Sequence, residues 1–326
     1  MKICIYGAQG HIHTILDHLE QADDTAVTAI CCEPGEDIAW LRERLAQANQ
    51  NVRAHGDYRE MLACEKPDIV VTSSYPDKNA GAAQYALSQS IHVFCEKPAA
   101  ITMGQFEGIS GALQDSGAKL YTMLTERFEP AFYTAYQAAA DGLAGTVRLI
   151  DARKSYKLGI RPDYYKSRKT YAGTLSWVGI HAIDRIYRAA GKRFQTVFAR
   201  SSSGFNRGNG DLEMSAVCCY EMEDGVLASF TCDYYRPAAA ETHGDDRLRI
   251  VGTHGVIEVM GGEARYLHDG GSETLPLLEP PRLFEEFLRY TRTGESAHLT
   301  TEDCMYTTYA ALKTMESSDT GTIVRL

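Results

Sequence analysis

The chain has 326 residues, with 33 lysines and arginines against 43 aspartates and glutamates for a formal net charge of −10. A single hydrophobic core usually serves at most about 250 to 300 residues, so two domains are expected. The acidic balance opposes a nucleic-acid backbone or an anionic membrane surface as partner.

From the N-terminus, Met1 to Tyr6 is apolar only until Gly7, too short for a signal peptide or a membrane span, and a cytoplasmic location is expected. Short apolar runs then recur at Ile3-Cys4-Ile5, Ala29-Ile30-Cys31, Ile69-Val70-Val71 and His92-Val93-Phe94, with helix-compatible sequence between them. Runs apolar on both alternating faces suit parallel strands covered by helices on both sides. Ile12, Ile15, Leu16 and Leu19 lie on one helical face, and Thr102 with Gln105 forms a capping box ahead of Phe106, Ile109 and Leu113. Residues 1–121 therefore predict a doubly wound, dinucleotide-binding α/β domain.

Between the first strand and the first helix stands Gly7-Ala8-Gln9-Gly10-His11-Ile12. Against Gly-x-Gly-x-x-Gly it keeps the first glycine, carries Gln9 and Ile12 at the other two positions and adds Gly10 between them. Such a turn lets backbone amides at a helix N-terminus approach a pyrophosphate, although an ordinary tight turn satisfies the same residues. At the end of the second strand, Glu33 is the acid placed for the adenosine ribose, or Cys32 in strict register. No arginine follows until Arg42, so NAD is expected in preference to NADP. Cys31-Cys32 and Cys218-Cys219 lie in apolar strand-like runs and read as reduced thiols; with no Cys-x-x-Cys, and with His11 and His13 pointing apart on a helix, no metal is expected.

Glu96-Lys97-Pro98 follows immediately on the strand at 92–94, where open α/β sheets bind their ligands. A lysine there can stabilise an alkoxide as hydride leaves the adjacent carbon. From residue 122 the texture changes to long alternating strands. Met214, Ala216, Cys218, Tyr220 and Met222 share one face, and Val226, Ala228, Phe230, Cys232 and Tyr234 share another, with Glu223-Asp224-Gly225 as the hairpin turn. Further strands are expected over Val147 to Tyr156, Phe194 to Arg200 and Leu248 to Val259. Amphipathic helices are expected around Leu283 to Leu288 and from Thr300 to Met315. Residues 122–326 predict a domain with a large open, mainly antiparallel sheet covered by helices on one face. An exposed apolar face on the other side implies a homo-oligomer, with Cys218 and Phe230, or their neighbours of opposite parity, between subunits.

Glu96-Lys97-Pro98, Pro76 in the loop after Val70-Val71, Arg127-Phe128-x-Pro130, Gly252-Thr253-His254-Gly255 before Val256, and the terminal Thr320-Gly321-Thr322-Ile323-Val324 together resemble the glucose-fructose oxidoreductase/inositol dehydrogenase/MocA (Gfo/Idh/MocA) family nearly end to end. Gly173 to Asp184 is similar to that family's second catalytic segment, where a histidine, and an aspartate four residues before it, join the lysine around the substrate carbinol. The histidine is His181. Trp177 stands at the aspartate position. The resemblance implies an NAD(P)-dependent dehydrogenase for a secondary alcohol or carbonyl of a sugar, sugar acid or cyclitol, with Lys97 and His181 catalytic. Cofactor contacts are expected from Gly7, Gln9, Gly10, His11, Ile12, Glu33, Pro76, Glu96 and Lys97. Substrate contacts are expected from Lys97, His181 and Trp177, and from Tyr165 or Arg168 in the donor-rich stretch 156–171. The role of Asp184 stays open. Two other readings remain: a tightly held NAD serving glycoside cleavage, and a non-catalytic sensor of dinucleotide and sugar, which Trp177 favours.

Overall fold

The computed structural model describes residues 1–19, 24–296 and 298–326. Six short strands, β1 (Lys2–Tyr6), β2 (Ala26–Cys31), β3 (Arg53–His55), β4 (Ile69–Thr72), β5 (His92–Cys95) and β6 (Leu120–Thr122), form a parallel sheet in the order β3-β2-β1-β4-β5-β6. Residues 3–6 of β1 are buried on both faces, the requirement met when helices cover a parallel sheet twice. The strand order reverses between β1 and β4, so the crevice for ligands opens beyond their carboxyl ends. The Thr102 cap forms as expected at the helix Met103–Asp115, its hydroxyl accepting from the Gln105 N–H, while the Gln105 side chain reaches one residue past the cap and accepts from the backbone N–H of Ile101.

Nine further strands make a second sheet: β7 (Val147–Ser155), β8 (Phe194–Ser202), β9 (Ser215–Met222), β10 (Leu227–Asp233), β11 (Arg247–Gly252), β12 (Val256–Met260), β13 (Glu263–His268), β14 (Gly271–Thr274) and β15 (Val324–Arg325). Their order is β14-β13-β12-β11-β7-β10-β9-β8-β15, antiparallel except for the parallel pair β7–β10. The hairpin over Glu223–Gly225 forms where positive backbone φ at Asp224 and Gly225 allows it. Its two apolar sets share one face, because Phe230 pairs directly with Cys218 and Ala228 with Tyr220. Cys218 and Phe230 are therefore core residues of a single chain, under the helix Gly179–Ala190, whose Gly179 lies against the Phe230 ring. The opposite face is the open one. It exposes Leu149, Phe198, Val217 and Leu227. The run from Leu248 to Val259 is not continuous: Thr253 to Gly255 turn it into the β11–β12 hairpin. The closing strand is confined to Val324–Arg325, because the helix Thr301–Thr320 runs to Thr320 and Gly321, at φ +70°, ends it.

The chain packs as two compact units, one of Met1–Met123 with Pro281–Thr308 and the other of Leu124–Pro280 with Tyr309–Leu326. The late segment completes the first sheet. The Thr301 hydroxyl accepts from the N–H of Leu120, the Cys304 sulfur from the N–H of Thr122, and the Leu299 carbonyl from the Tyr121 hydroxyl. Phe284 and Phe287 of the helix Leu283–Thr293 pack on the Phe94 ring. Among the described residues no helix is long and apolar enough to cross a membrane.

Candidate active site

In the first unit the turn after β1 is shaped by its glycines. Gly7, at φ +84°, leaves no room for a side chain: a Cβ would stand 2.3 Å from the Ser74 backbone beyond β4. Gly10, at φ +60°, lies against the Glu96 carboxyl. Ile12 is buried in the core instead of forming a third glycine contact. Gln9 is pinned to the β4 loop, its N–H donating to the Ser73 carbonyl at 2.6 Å. The turn's amides meet anionic oxygens. The N–H of Ala8 donates to the Glu36 carboxylate at 2.8 Å, the Gln9 amide donates to it at 3.1 Å and the Ser74 hydroxyl at 2.9 Å. Glu36 thus stands in for an anionic ligand on the turn, and donors of this kind at the carboxyl ends of β1 and β4 fit a dinucleotide.

Glu33 lies beside the turn but its carboxylate faces Tyr6. Its carboxylate accepts from the Tyr6 hydroxyl at 2.5 Å, and burial, reinforced by this carboxylate, pushes the phenol's pKa up. The acid from the end of β2 that touches the turn is Glu36, which carries no motif of its own. Its signal in the sequence is the Pro34-Gly35 turn, which folds it back until its N–H reaches the Glu33 carbonyl. Pro76 opens the helix Pro76–Ser88 and is buried beside the same loop.

Glu96 and Lys97 follow β5 directly and are both buried. Glu96 accepts from the N–H of His11 at 2.8 Å and meets its Nδ1 at 2.9 Å, while the Lys97 Nζ stands 3.9 Å from it. Burial opposes the charge on Glu96, and His11 and Lys97 override it, holding the carboxyl below its usual range. The motif therefore delivers a buried ammonium steadied by a buried carboxylate, at the end of the sheet where ligands bind.

The second unit carries a denser cluster. His181, in the first turn of the helix Gly179–Ala190, is buried, and its Nδ1 lies 3.8 Å from Oε2 of Glu126. Glu126, in the turn Thr125–Phe128, also accepts from Lys154 of β7, from Arg185 one helical turn beyond His181, and from the Tyr156 hydroxyl at 3.2 Å. Asp246 completes the set at 2.8 Å from Lys154 and 3.3 Å from Arg185. Burial works against the Glu126 charge, but Arg185, His181 and Lys154 together hold its carboxyl well below the usual range. Sequence reasoning misses Glu126, Lys154, Arg185 and Asp246. Their spacing carries no motif, and only burial of charge on one another identifies them.

The remaining expected residues are held by rings or by ion pairs. Trp177 is buried with Leu158, Tyr165, Tyr171, Val178, Leu212, Met214 and Tyr234. Its ring meets those of Tyr164, Tyr165 and Tyr171. Arg168 pairs with Glu213 and, at 3.0 Å, with Asp319, so a sugar would have to compete with two carboxylates for it. Asp184 accepts both from Nε of Arg127 at 3.0 Å and from its terminal nitrogen, a buried pair that leaves its carboxylate committed to Arg127. No group of three or more metal-ligating side chains gathers among the described residues.

Comparison with known proteins agrees with this architecture. Residues 1–123 match a family described as oxidoreductases with an NAD-binding Rossmann fold, and residues 132–258 match a GFO/IDH/MocA C-terminal domain. A Thermotoga maritima structure named for an oxidoreductase superimposes with a TM-score of 0.96 at 40% identity, covering 100% of both chains. The D-xylose 1-dehydrogenase (NADP(+)) 2 of Haloferax volcanii is 25% identical, over 84% of this chain and 85% of its own. Myo-inositol 2-dehydrogenase of Thermotoga maritima is 22% identical, over 85% and 78%.

Proposed function

The chain belongs to the Gfo/Idh/MocA family and is an NAD(P)-dependent dehydrogenase; from that premise we propose that it moves hydride between NAD and a secondary alcohol or carbonyl of a sugar, sugar acid or cyclitol. The observation that carries this reading is Lys97, a buried ammonium fixed beside buried Glu96 at the carboxyl end of β5. A bound dinucleotide would supply the hydride acceptor or donor, with the turn Gly7 to His11 holding it where Glu36 now takes the Ala8 amide, and Glu36, once displaced, or Glu33 available to its ribose. Lys97 stabilises negative charge on the reacting oxygen as it develops, and His181 exchanges the proton. The relatives named for D-xylose and myo-inositol support a polyhydroxylated substrate. A carboxylate at the turn, with no arginine following Glu33 in the sequence until Arg42, supports NAD over a 2′-phosphorylated dinucleotide.

The test is a screen of the purified protein with sugars, sugar acids and cyclitols, with NAD and NADP in parallel, followed by nicotinamide absorbance. NADH formation with at least one of these is the expected result. Dinucleotide binding with no hydride transfer to any of them would instead support the sensor reading, which Trp177 in the aspartate position favours. For assembly, a second copy of this chain is the proposed occupant of the open sheet face, whose Leu149, Phe198, Val217 and Leu227 are exposed on four adjacent strands.

A further inference from the structure

We infer that Glu126 is the positioning residue for His181, supplying from the turn Thr125–Phe128 the carboxylate that position 177 lacks. The inference rests on the dehydrogenase reading for its purpose and on the second unit's own geometry for its substance. The helix Thr174–Trp177 brings no acid near the imidazole, because Trp177 is buried among aromatic rings, and the nearby Asp184 is bound on both oxygens by Arg127. Glu126 is the carboxylate facing the ring, with Oε2 at 3.8 Å from Nδ1, a charge contact somewhat longer than a hydrogen bond.

Three donors hold Glu126 in place, Lys154, Arg185 and the Tyr156 hydroxyl. A carboxylate so clamped stays ionised and does not follow the ring, so it can set the ring's orientation. The charged groups around it balance: Glu126 and Asp246 oppose Lys154 and Arg185. The other titratable neighbours are Glu129, Tyr136 and Tyr156, whose pKa values are all raised, first through burial. A proton added to the imidazole is stabilised by the Glu126 carboxylate that faces it. With Nδ1 facing this carboxylate, exchange of the substrate proton falls to Nε2. The carboxylate facing the ring thus lies 55 residues before the histidine, on a different element.

The test is nuclear magnetic resonance of histidine-labelled full-length protein, with the His181 signal assigned by its loss in His181→Asn. In the wild type the neutral ring should carry its proton on Nδ1. The His181 titration midpoint should fall by about one pH unit in Glu126→Gln and stay closer to the wild-type value in Glu126→Asp, because the carboxylate favours the protonated ring. A proton on Nε2 in the neutral wild-type ring, or a midpoint unmoved in Glu126→Gln, overturns the assignment. The wild-type tautomer decides the matter even if Glu126→Gln fails to fold. The measurement needs neither substrate nor dinucleotide, so it is separable from the screen for hydride transfer, whose failure would remove the dehydrogenase reading while leaving the Glu126–His181 contact as measured.

Discussion

Glu96 in the first unit and Glu126 in the second are both buried carboxylates held below their usual range, but they are stabilised from very different distances along the chain. Glu96 adjoins Lys97 in sequence and takes hydrogen bonds from the backbone and ring of His11. Glu126 depends on Lys154, Tyr156 and Arg185, two of them full charges on separate elements. The difference shows two ways to keep a charge in a low-dielectric place. A buried lysine next to its acid is set by one peptide, whereas a multi-charge cluster exists only after distant segments have met.

The largest effect is expected on stability. Glu126→Gln leaves Lys154 and Arg185 facing a neutral amide and should cost about 3 to 5 kcal/mol by chemical denaturation. Glu96→Gln should cost about 1 to 3 kcal/mol, since it strands mainly His11 donors. Equal losses would end the distinction between the sites. The pH dependence has a definite sign. Both folded-state pKa values are depressed, so the stability they contribute is present above the unfolded glutamate value of about 4.3 and is lost as pH falls through the lower folded values. Glu126→Gln should flatten that acid limb more than Glu96→Gln does.

Next in size is chemistry. Lys97→Ala should lower the single-turnover hydride-transfer rate by about 10² to 10³ while leaving dinucleotide affinity within about twofold, because the lost interaction grows only as charge develops. His181→Ala should slow the same step by a similar factor, about 10², if Glu126 serves the ring as an aspartate would. A loss limited to a few-fold would mean that the histidine works without effective carboxylate support.

Parts of this contrast are legible in the amino-acid sequence. The turn from Gly7 and the Glu96-Lys97-Pro98 step are local patterns, and so is the Glu223–Gly225 hairpin, because the residues that make each feature are adjacent. β3, with Arg53 and Ala54 exposed, and β14, exposed throughout, lack the apolar alternation that marks a strand. The common face of β9 and β10 is set by pairing register, which parity within each strand leaves undetermined. Lys154 lies fully buried in a strand whose letters read as charged and solvated. Its partners lie 28 residues before it, at Glu126, and 92 after it, at Asp246.

A smaller effect separates the two acids near the dinucleotide turn. Glu36→Gln should shift the ratio of NADP to NAD affinity by about tenfold toward NADP, since it removes a negative charge from the Ala8 amide. Glu33→Gln should shift it less, its carboxylate being committed to Tyr6. Affinities from nicotinamide fluorescence titration give the comparison directly, and a larger response at position 33 would return the ribose role to Glu33. The smallest effect on the individual fold is expected from Val217→Asp on the open face, which should leave the melting temperature of the protomer nearly unchanged while lowering the mass measured by light scattering. An unchanged mass would show that this face does not hold copies together.

The division of the first unit into two stretches of chain bears on how the protein is born. As the nascent chain leaves the ribosome, β6 emerges with the N–H groups of Leu120 and Thr122 and the hydroxyl of Tyr121 still awaiting their acceptors. Those acceptors, Thr301, Cys304 and Leu299, are translated only after the whole of β7 to β14. The dinucleotide-binding unit is thus begun first and finished late, and its edge strand stays incomplete through most of synthesis.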